Sequence, residues 1–183
     1  MSTGTLLAII IPCAVVLIAL GVTLWMLARR RRLQREFGPE YGRTVEQTGG
    51  SLAADRELQS RRQRHDELDI KQLPVDLRRE YADRWSRVQE RFVDEPESAV
   101  AQADDLVTRL MRDRGYPTDG YEQMVNDLSV EHSRTLDHYR SAHAVKARTG
   151  GGQATTEELR GAMVHYRALF DELLMPPRSG TDE

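Results

Sequence analysis

The sequence predicts an all-α protein: a single N-terminal transmembrane helix, a helical linker and a compact cytoplasmic helical bundle. Three observations lead to this prediction. Residues 1–28 contain no charged side chain, a block of arginines follows them directly, and the remaining chain repeats apolar residues at spacings of three and four. No segment shows the sustained alternation of apolar and polar residues that is typical of a β-strand.

The apolar run from Leu6 to Ala28 has the composition and length of a membrane span. A helix of these 23 residues rises about 1.5 Å per residue and reaches about 34 Å, while the hydrocarbon core of a bilayer is about 30 Å thick. Pro12 lies near the start of the run, where a missing N–H costs little, and Trp25 lies near its charged end, at interfacial depth. We therefore expect residues 1–5 to form a short tail outside the membrane and residues 6–28 to cross the bilayer.

Two other interpretations of this run are weaker. A cleaved signal peptide carries positive charge before its apolar run, and Met1 to Thr5 carry none. A lipoprotein signal needs a small residue before its cysteine, and Pro12 precedes Cys13, which is the only cysteine of the chain. A single cysteine also excludes an intramolecular disulfide or a CxxC metal site.

The arginines after the run predict its orientation. Lys and Arg near the ends of a span stay in the cytoplasm, so the N-terminus should lie outside and the rest of the chain inside. The collar of residues 29–37 could act as a topology signal alone, or its arginines could also bind anionic lipid headgroups. These arginines are Arg29, Arg30, Arg31, Arg32 and Arg35.

Beyond the collar the chain is acidic. Five of the 26 basic residues lie between Arg29 and Arg35, which leaves 21 basic against 29 acidic residues and a balance of −8. Phosphate backbones would repel such a body, so we expect no binding to nucleic acid.

Residues 38–73 are predicted to form a charged helical linker. Gly38 and Pro39 should end the membrane helix, and Pro39 should open a short helix that ends near Gly49 and Gly50. Ser51 should cap a further helix, in which the apolar residues are too far apart for a buried face. We expect that helix to be solvated and to act partly as a stalk.

Residues 74–175 are predicted to form the bundle. The first and last helices have the clearest apolar faces, and Ser129 is predicted to cap the fourth of five helices. A Ser/Thr-x-x-Glu box, Thr155 to Glu158, should start the last helix. Its apolar face suits either a second chain or its own bundle, and we expect it to pack on its own bundle. Residues 176–183 should form a flexible tail. The first face comprises Leu77, Tyr81, Trp85, Val88 and Phe92, and the last comprises Leu159, Met163, Tyr166, Phe170 and Leu173.

The chain shows no catalytic, cofactor-binding or metal-binding motif. His132, His138 and His143 are six and five residues apart, which scatters them around a helix, and the other histidines, His65 and His165, form no His-x-x-x-His pair. Its glycine clusters lack the lysine of a phosphate-binding loop, and no serine lies in a Gly-x-Ser-x-Gly elbow. Adjacent acids such as Asp104 and Asp105 are interpreted as solvated surface.

Four stretches carry a resemblance to known sequences: "REFGPEYGRTV", "RWSRVQERFVDEPESAVAQADDLVTRLMRDRGYP", "LSVEHSRTLDHYRSAH" and "TEELRGAMVHYRALFDELL". They resemble an uncharacterised family of bacterial hypothetical proteins that is common in actinobacteria. The resemblance covers most of residues 35–175 and implies an N-terminal membrane helix with a helical cytoplasmic domain. It implies no activity and no site residues.

Two functions follow from the sequence. The favoured one is a non-enzymatic, single-pass membrane protein whose cytoplasmic bundle binds an unidentified protein as a scaffold, adaptor or regulator. The alternative is a membrane-tethered enzyme or small-ligand sensor with a site between helices, built from Tyr139, His143, His165 and Tyr166, of which Tyr139 and His143 share a helical face. A polar cavity with converging histidines would favour the alternative, and a closed apolar core would favour the first.

Overall fold

The computed structural model describes residues 3–149 and 153–175, with side chains from residue 15 onward. Every regular element in these residues is an α-helix, which confirms the predicted all-α class. The glycine break at residues 150–152 and the predicted tail at 176–183 lie outside the described residues. The helices are α1 (Thr3–Phe37), α2 (Pro39–Thr48), α3 (Ser51–Asp66), α4 (Val75–Arg91), α5 (Pro96–Arg114), α6 (Tyr121–Glu131), α7 (Leu136–Thr149) and α8 (Thr156–Leu174).

The chain divides into two compact units, an N-terminal unit of residues 1–58 and a C-terminal unit of residues 59–183. In the N-terminal unit the predicted interruption after the collar is confirmed. Gly38 has a positive φ of 48°, a conformation that L side chains rarely adopt, and Pro39 opens α2 as its first residue. Helix α2 ends at Thr48, with Gly49 as its C-cap, close to the predicted end near Gly49 and Gly50.

Among the described residues, no helix is both long enough and apolar enough to cross a membrane.

Helix α3 differs from the solvated helix expected over residues 51–73. It ends at Asp66, and the following residues run to Pro74 without regular structure. One of its faces is buried. The four residues of this face follow one another at spacings of four, three and four, and two of them are apolar and two are polar. These residues are Ala54, Leu58, Arg61 and His65.

The C-terminal unit contains a continuous apolar core that draws on α4 to α8. The predicted face of α4 is confirmed at Tyr81, Trp85 and Val88, which are buried, whereas Leu77 and Phe92 are only partly buried. Trp85 stacks on Phe170 of α8, with ring centroids 4.6 Å apart. The last helix therefore packs on its own bundle, as predicted.

The start of α8 also matches the sequence prediction. Thr155 caps the helix through its hydroxyl, which accepts a hydrogen bond from the Glu158 N–H at 3.2 Å. The Glu158 carboxylate accepts one in return from the Thr155 N–H at 2.8 Å. Hydrogen bonds to the Glu158 carboxylate from the Thr155 N–H and hydroxyl, together with one from Arg148, lower the pKa of Glu158 to about 2.

The predicted cap at Ser129 is wrong. Ser129 lies inside α6, where its hydroxyl donates to the Asn126 carbonyl, and the chain breaks instead between His132 and Thr135. The turn is closed by the Leu136 N–H, which donates to the His132 carbonyl at 3.0 Å. A serine can bond to its own helix backbone as readily as it caps the next one, so its type alone did not fix the boundary.

Candidate functional site

A buried carboxylate, Asp104 of α5, is the centre of a polar cluster that includes two of the residues proposed for a site between helices, His143 and Tyr166. Its oxygens accept hydrogen bonds from the Tyr166 hydroxyl at 2.9 Å and from His143 Nδ1 at 3.2 Å. Lys146 Nζ lies 3.0 Å from the second oxygen. The cluster therefore joins α5, α7 and α8 through one acidic side chain.

Helical periodicity explains why this carboxylate points inward. Val100, Ala103 and Val107 form the apolar face of α5, and residue 104 falls between them on a helix of 3.6 residues per turn. Asp104 is 5% exposed, whereas its neighbour Asp105 is exposed. The prediction that both acids are solvated is thus wrong for Asp104.

Aromatic rings pack along one side of the cluster. His143 stacks on Tyr121 at 4.4 Å between ring centroids, and Tyr139 meets Tyr166 edge to face at 6.0 Å. Tyr139 and His143 share a face of α7, as the sequence predicted, with their centroids 5.9 Å apart. Three of the four residues proposed for a site between helices are therefore brought together.

The electrostatics of the cluster suit a fixed carboxylate. Burial by itself would raise the pKa of Asp104, but hydrogen bonds from His143, Lys146 and Tyr166 outweigh it and hold that pKa below its usual value. Burial raises the pKa of Tyr166 strongly, and the negative charge of Asp104 raises it further. At neutral pH Asp104 is thus charged, and Tyr166 remains a hydrogen-bond donor.

The geometry gives this cluster a structural role. Asp104, Tyr139 and Tyr166 are buried, so a solute could reach only the outer partners, His143 and Lys146, whose side chains are about one-third exposed. A general base needs to reach the proton it removes. Here the carboxylate already accepts hydrogen bonds from its own bundle.

The fourth proposed residue, His165, lies elsewhere. Its Nδ1 is 2.8 Å from Nδ1 of His138, in a stacked pair at the surface. Burial lowers the pKa of His165, and the nearby His138 lowers it further. A single hydrogen bond can join these rings if one Nδ1 carries the N–H and donates it, and the other Nδ1 is unprotonated and accepts it.

The remaining histidines, His65 and His132, lie at other places in the C-terminal unit. His132 is buried between helices, with Nδ1 2.9 Å from Glu172 and Nε2 3.2 Å from the Tyr116 hydroxyl. His65 lies 3.8 Å from Glu131. Within residues 3–149 and 153–175, no three ligand-type side chains are grouped so that they could hold a metal ion.

The arginine collar is described within the N-terminal unit. Arg30 donates to the Tyr41 hydroxyl at 3.0 Å, and Tyr41 donates in turn to Asp55 at 3.0 Å. The other arginines of the collar differ in exposure, since Arg29 packs over the Trp25 ring while the rest are exposed. The exposed ones are Arg31, Arg32 and Arg35.

Comparison of the chain with protein-family models, curated proteins and solved structures gives no match.

Proposed function

We propose that this chain is a single-pass membrane protein whose cytoplasmic helical bundle binds another protein, as a scaffold, adaptor or regulator without enzymatic activity. The observation that carries the proposal is the state of the Asp104 cluster. Asp104 and Tyr166 are hydrogen-bonded to each other in the buried core, and the partly exposed His143 and Lys146 contact Asp104 from the outer side, so these polar groups serve the stability of the bundle.

The anchor is supported by the sequence and by exposed side chains. The run from residue 6 to 28 is uncharged, and its side-chain exposure is described from Val15 onward. From Val15 to Ile18 each large apolar side chain is at least 60% exposed. Such a continuous apolar surface suits lipid tails better than water. The arginines that follow support a cytoplasmic location for the bundle.

A surface on α4 and α8 supports protein binding. Val164 of α8 is 65% exposed. Val164 lines a groove of about 320 Å³ together with Phe92 and Met163. Polar side chains surround this apolar floor, as they do at the rim of many protein interfaces. The polar lining residues are Gln89, Arg160 and Arg167.

In-membrane photo-crosslinking tests the proposal. A photoreactive amino acid at Val164 of the full chain should give a discrete adduct with one protein in native membranes. The matched control is Val75, which is also an exposed valine of the C-terminal unit, at 52%, and should give none. A folded, membrane-bound chain that gives no adduct from position 164 would contradict the proposal.

The topology has its own test. A reporter that is active only in the cytoplasm, fused after Glu183, should be active because the positive charges follow the span. Activity only from a reporter that works outside the cytoplasm would show the reverse orientation.

A further inference from the structure

A groove between α4 and α5 is lined by four arginines and a single acid. Its volume is about 300 Å³. Its lining repeats the same helical spacing on both helices, at residues 84, 87, 88 and 91 of α4 and at residues 102, 105, 106 and 109 of α5. Val88 and Leu106 are buried and form the floor. The walls consist of Arg84, Arg87 and Arg91 on one side and Gln102, Asp105 and Arg109 on the other.

The charge of this groove contrasts with that of the chain. The whole protein has a net charge of −3, whereas four guanidinium groups face one carboxylate here. Arg84 is held in place by Glu80 and by the ring of Tyr81. The guanidinium groups of Arg87, Arg91 and Arg109 form no hydrogen bond or ion pair within the described part of the chain.

Nearby acids do not neutralise these arginines, although the spacing would allow it. Asp83 precedes Arg87 by four residues, and Asp105 precedes Arg109 by four, the spacing at which Arg84 pairs with Glu80 and Arg167 pairs with Asp171. Neither Asp83 nor Asp105 lies within ion-pair distance of its arginine. Asp113, four residues after Arg109, is instead hydrogen-bonded to the Tyr81 hydroxyl.

We propose that this groove, the arginine groove, binds a ligand that carries two or more phosphate groups. A guanidinium offers paired N–H donors that match two phosphate oxygens, and several guanidiniums in one groove match several phosphates. The volume is at the lower end of the range for small-molecule sites, which suits a di- or triphosphate group. Because the whole chain uses arginine almost to the exclusion of lysine, the presence of arginine instead of lysine in the groove is not evidence for a phosphate ligand. The inference rests on the clustering of cations that have no ion-pair partner.

Two sources could supply this chemistry, a soluble polyphosphate or a lipid with a doubly phosphorylated headgroup. The first arm of the test is calorimetric titration of the full chain, in neutral detergent micelles, with inorganic triphosphate. We expect one site per chain. The double variant Arg87→Gln, Arg91→Gln should weaken binding at least tenfold, because it removes two of the converging cations.

The control variant is Arg79→Gln, Arg134→Gln, which removes the same charge from exposed positions outside the groove. It should change the affinity less than twofold. Circular dichroism of both variants should show unchanged helicity, since all four side chains are exposed.

The second arm adds diphosphatidylglycerol, which has two phosphates, to the same micelles and counts bound lipid by native mass spectrometry. Bound lipid that is lost in the groove variant but retained in Arg31→Gln, Arg32→Gln would identify the lipid as the source. Triphosphate binding that depends on the groove, without groove-dependent lipid binding, would identify a soluble ligand. If neither probe binds, or if the groove and control variants bind equally, the proposal is wrong.

Discussion

Asp104 is a buried charge whose partners come from two other helices, so its replacement tests the cluster directly. Asp104→Asn keeps the volume but removes the charge that Lys146 and His143 face. Hydrogen bonds to charged groups contribute about 1.5–3 kcal/mol each. We expect the free energy of unfolding to fall by about 2–3 kcal/mol, as measured by urea denaturation. Asp105→Asn, at the exposed neighbouring position, is the control and should change it little.

The same residue predicts a dependence of stability on pH. Because the folded state holds the pKa of Asp104 below its usual value, the carboxylate stabilises the fold at pH values above that usual value. This contribution is lost as the pH falls through the lower, folded pKa. The difference in unfolding free energy between the wild type and Asp104→Asn should therefore stay constant near neutral pH and shrink below about pH 4. A difference that grows on acidification would contradict this assignment.

At Gly115 the backbone conformation and a neighbouring carbonyl group leave no room for a side chain. Its φ is +101°, and an added Cβ would lie 2.3 Å from the carbonyl oxygen of Asp69. Gly115→Ala should therefore cost more than about 2 kcal/mol, from backbone strain and the clash together. Gly161→Ala, inside α8 with open space around it, should instead stabilise by about 0.5–1 kcal/mol. Thermal midpoints of the two variants should move in opposite directions.

Single residues were predicted least well from the sequence. Asp104 was expected at the surface because charged residues are usually solvated. Its position between Val100, Ala103 and Val107 was the available signal, and the pairing with Tyr166 across 62 positions was beyond local patterns. The link between Tyr139 and His143 was predicted, because it depends only on helical spacing.

At the scale of elements, α8 is the helix whose packing was in question. Phe170 is 1% exposed and stacks on Trp85. Phe170→Ala should cost about 3–5 kcal/mol, as aromatic truncations in cores do. Val164→Ala, on the exposed side of the same helix, should change stability by less than about 0.5 kcal/mol. An unchanged thermal midpoint in Phe170→Ala would show that the core tolerates the loss of this ring.

Helices with regular apolar spacing were predicted well, and those with mixed faces were not. The faces of α4 and α8 repeat at three and four residues, so their burial followed from the periodicity. In α3 the buried face includes Arg61 and His65, whose long or aromatic side chains can line a core although they are polar. The break after α6 places His132 beside Glu172, a residue 40 positions away.

At the scale of the whole molecule, the uneven charge distribution predicts how a truncated chain behaves. Residues 50–183 lack the apolar run and the collar, and their apolar core is shared among α4 to α8. We expect this fragment to be a helical monomer without detergent. Size-exclusion chromatography with light scattering and circular dichroism can check this, and a fragment that is recovered only in detergent would contradict it.

The arginine groove shows what sequence patterns cannot supply at this scale. That Arg84, Arg87 and Arg91 share one helical face can be predicted from their spacing in the sequence. Their convergence with Arg109 depends on how α4 and α5 pack. The lack of ion pairs at Arg87, Arg91 and Arg109 within the described residues depends on side-chain conformation. The acidic balance of the chain beyond the collar led to the expectation that phosphate backbones would be repelled. A net charge summed over many residues does not report the charge of one groove.

The stacking of Trp85 on Phe170 has a consequence for spectroscopy. The protein has two tryptophans, of which Trp25 lies in the N-terminal unit and Trp85 in the C-terminal unit. The indole of Trp85 is buried, so its fluorescence should lie at shorter wavelength than that of a solvated indole and shift to the red when the bundle opens. In Trp25→Phe the remaining emission comes from Trp85 alone. Unfolding of the bundle could then be followed in intact lipid vesicles, where light scattering obscures circular dichroism.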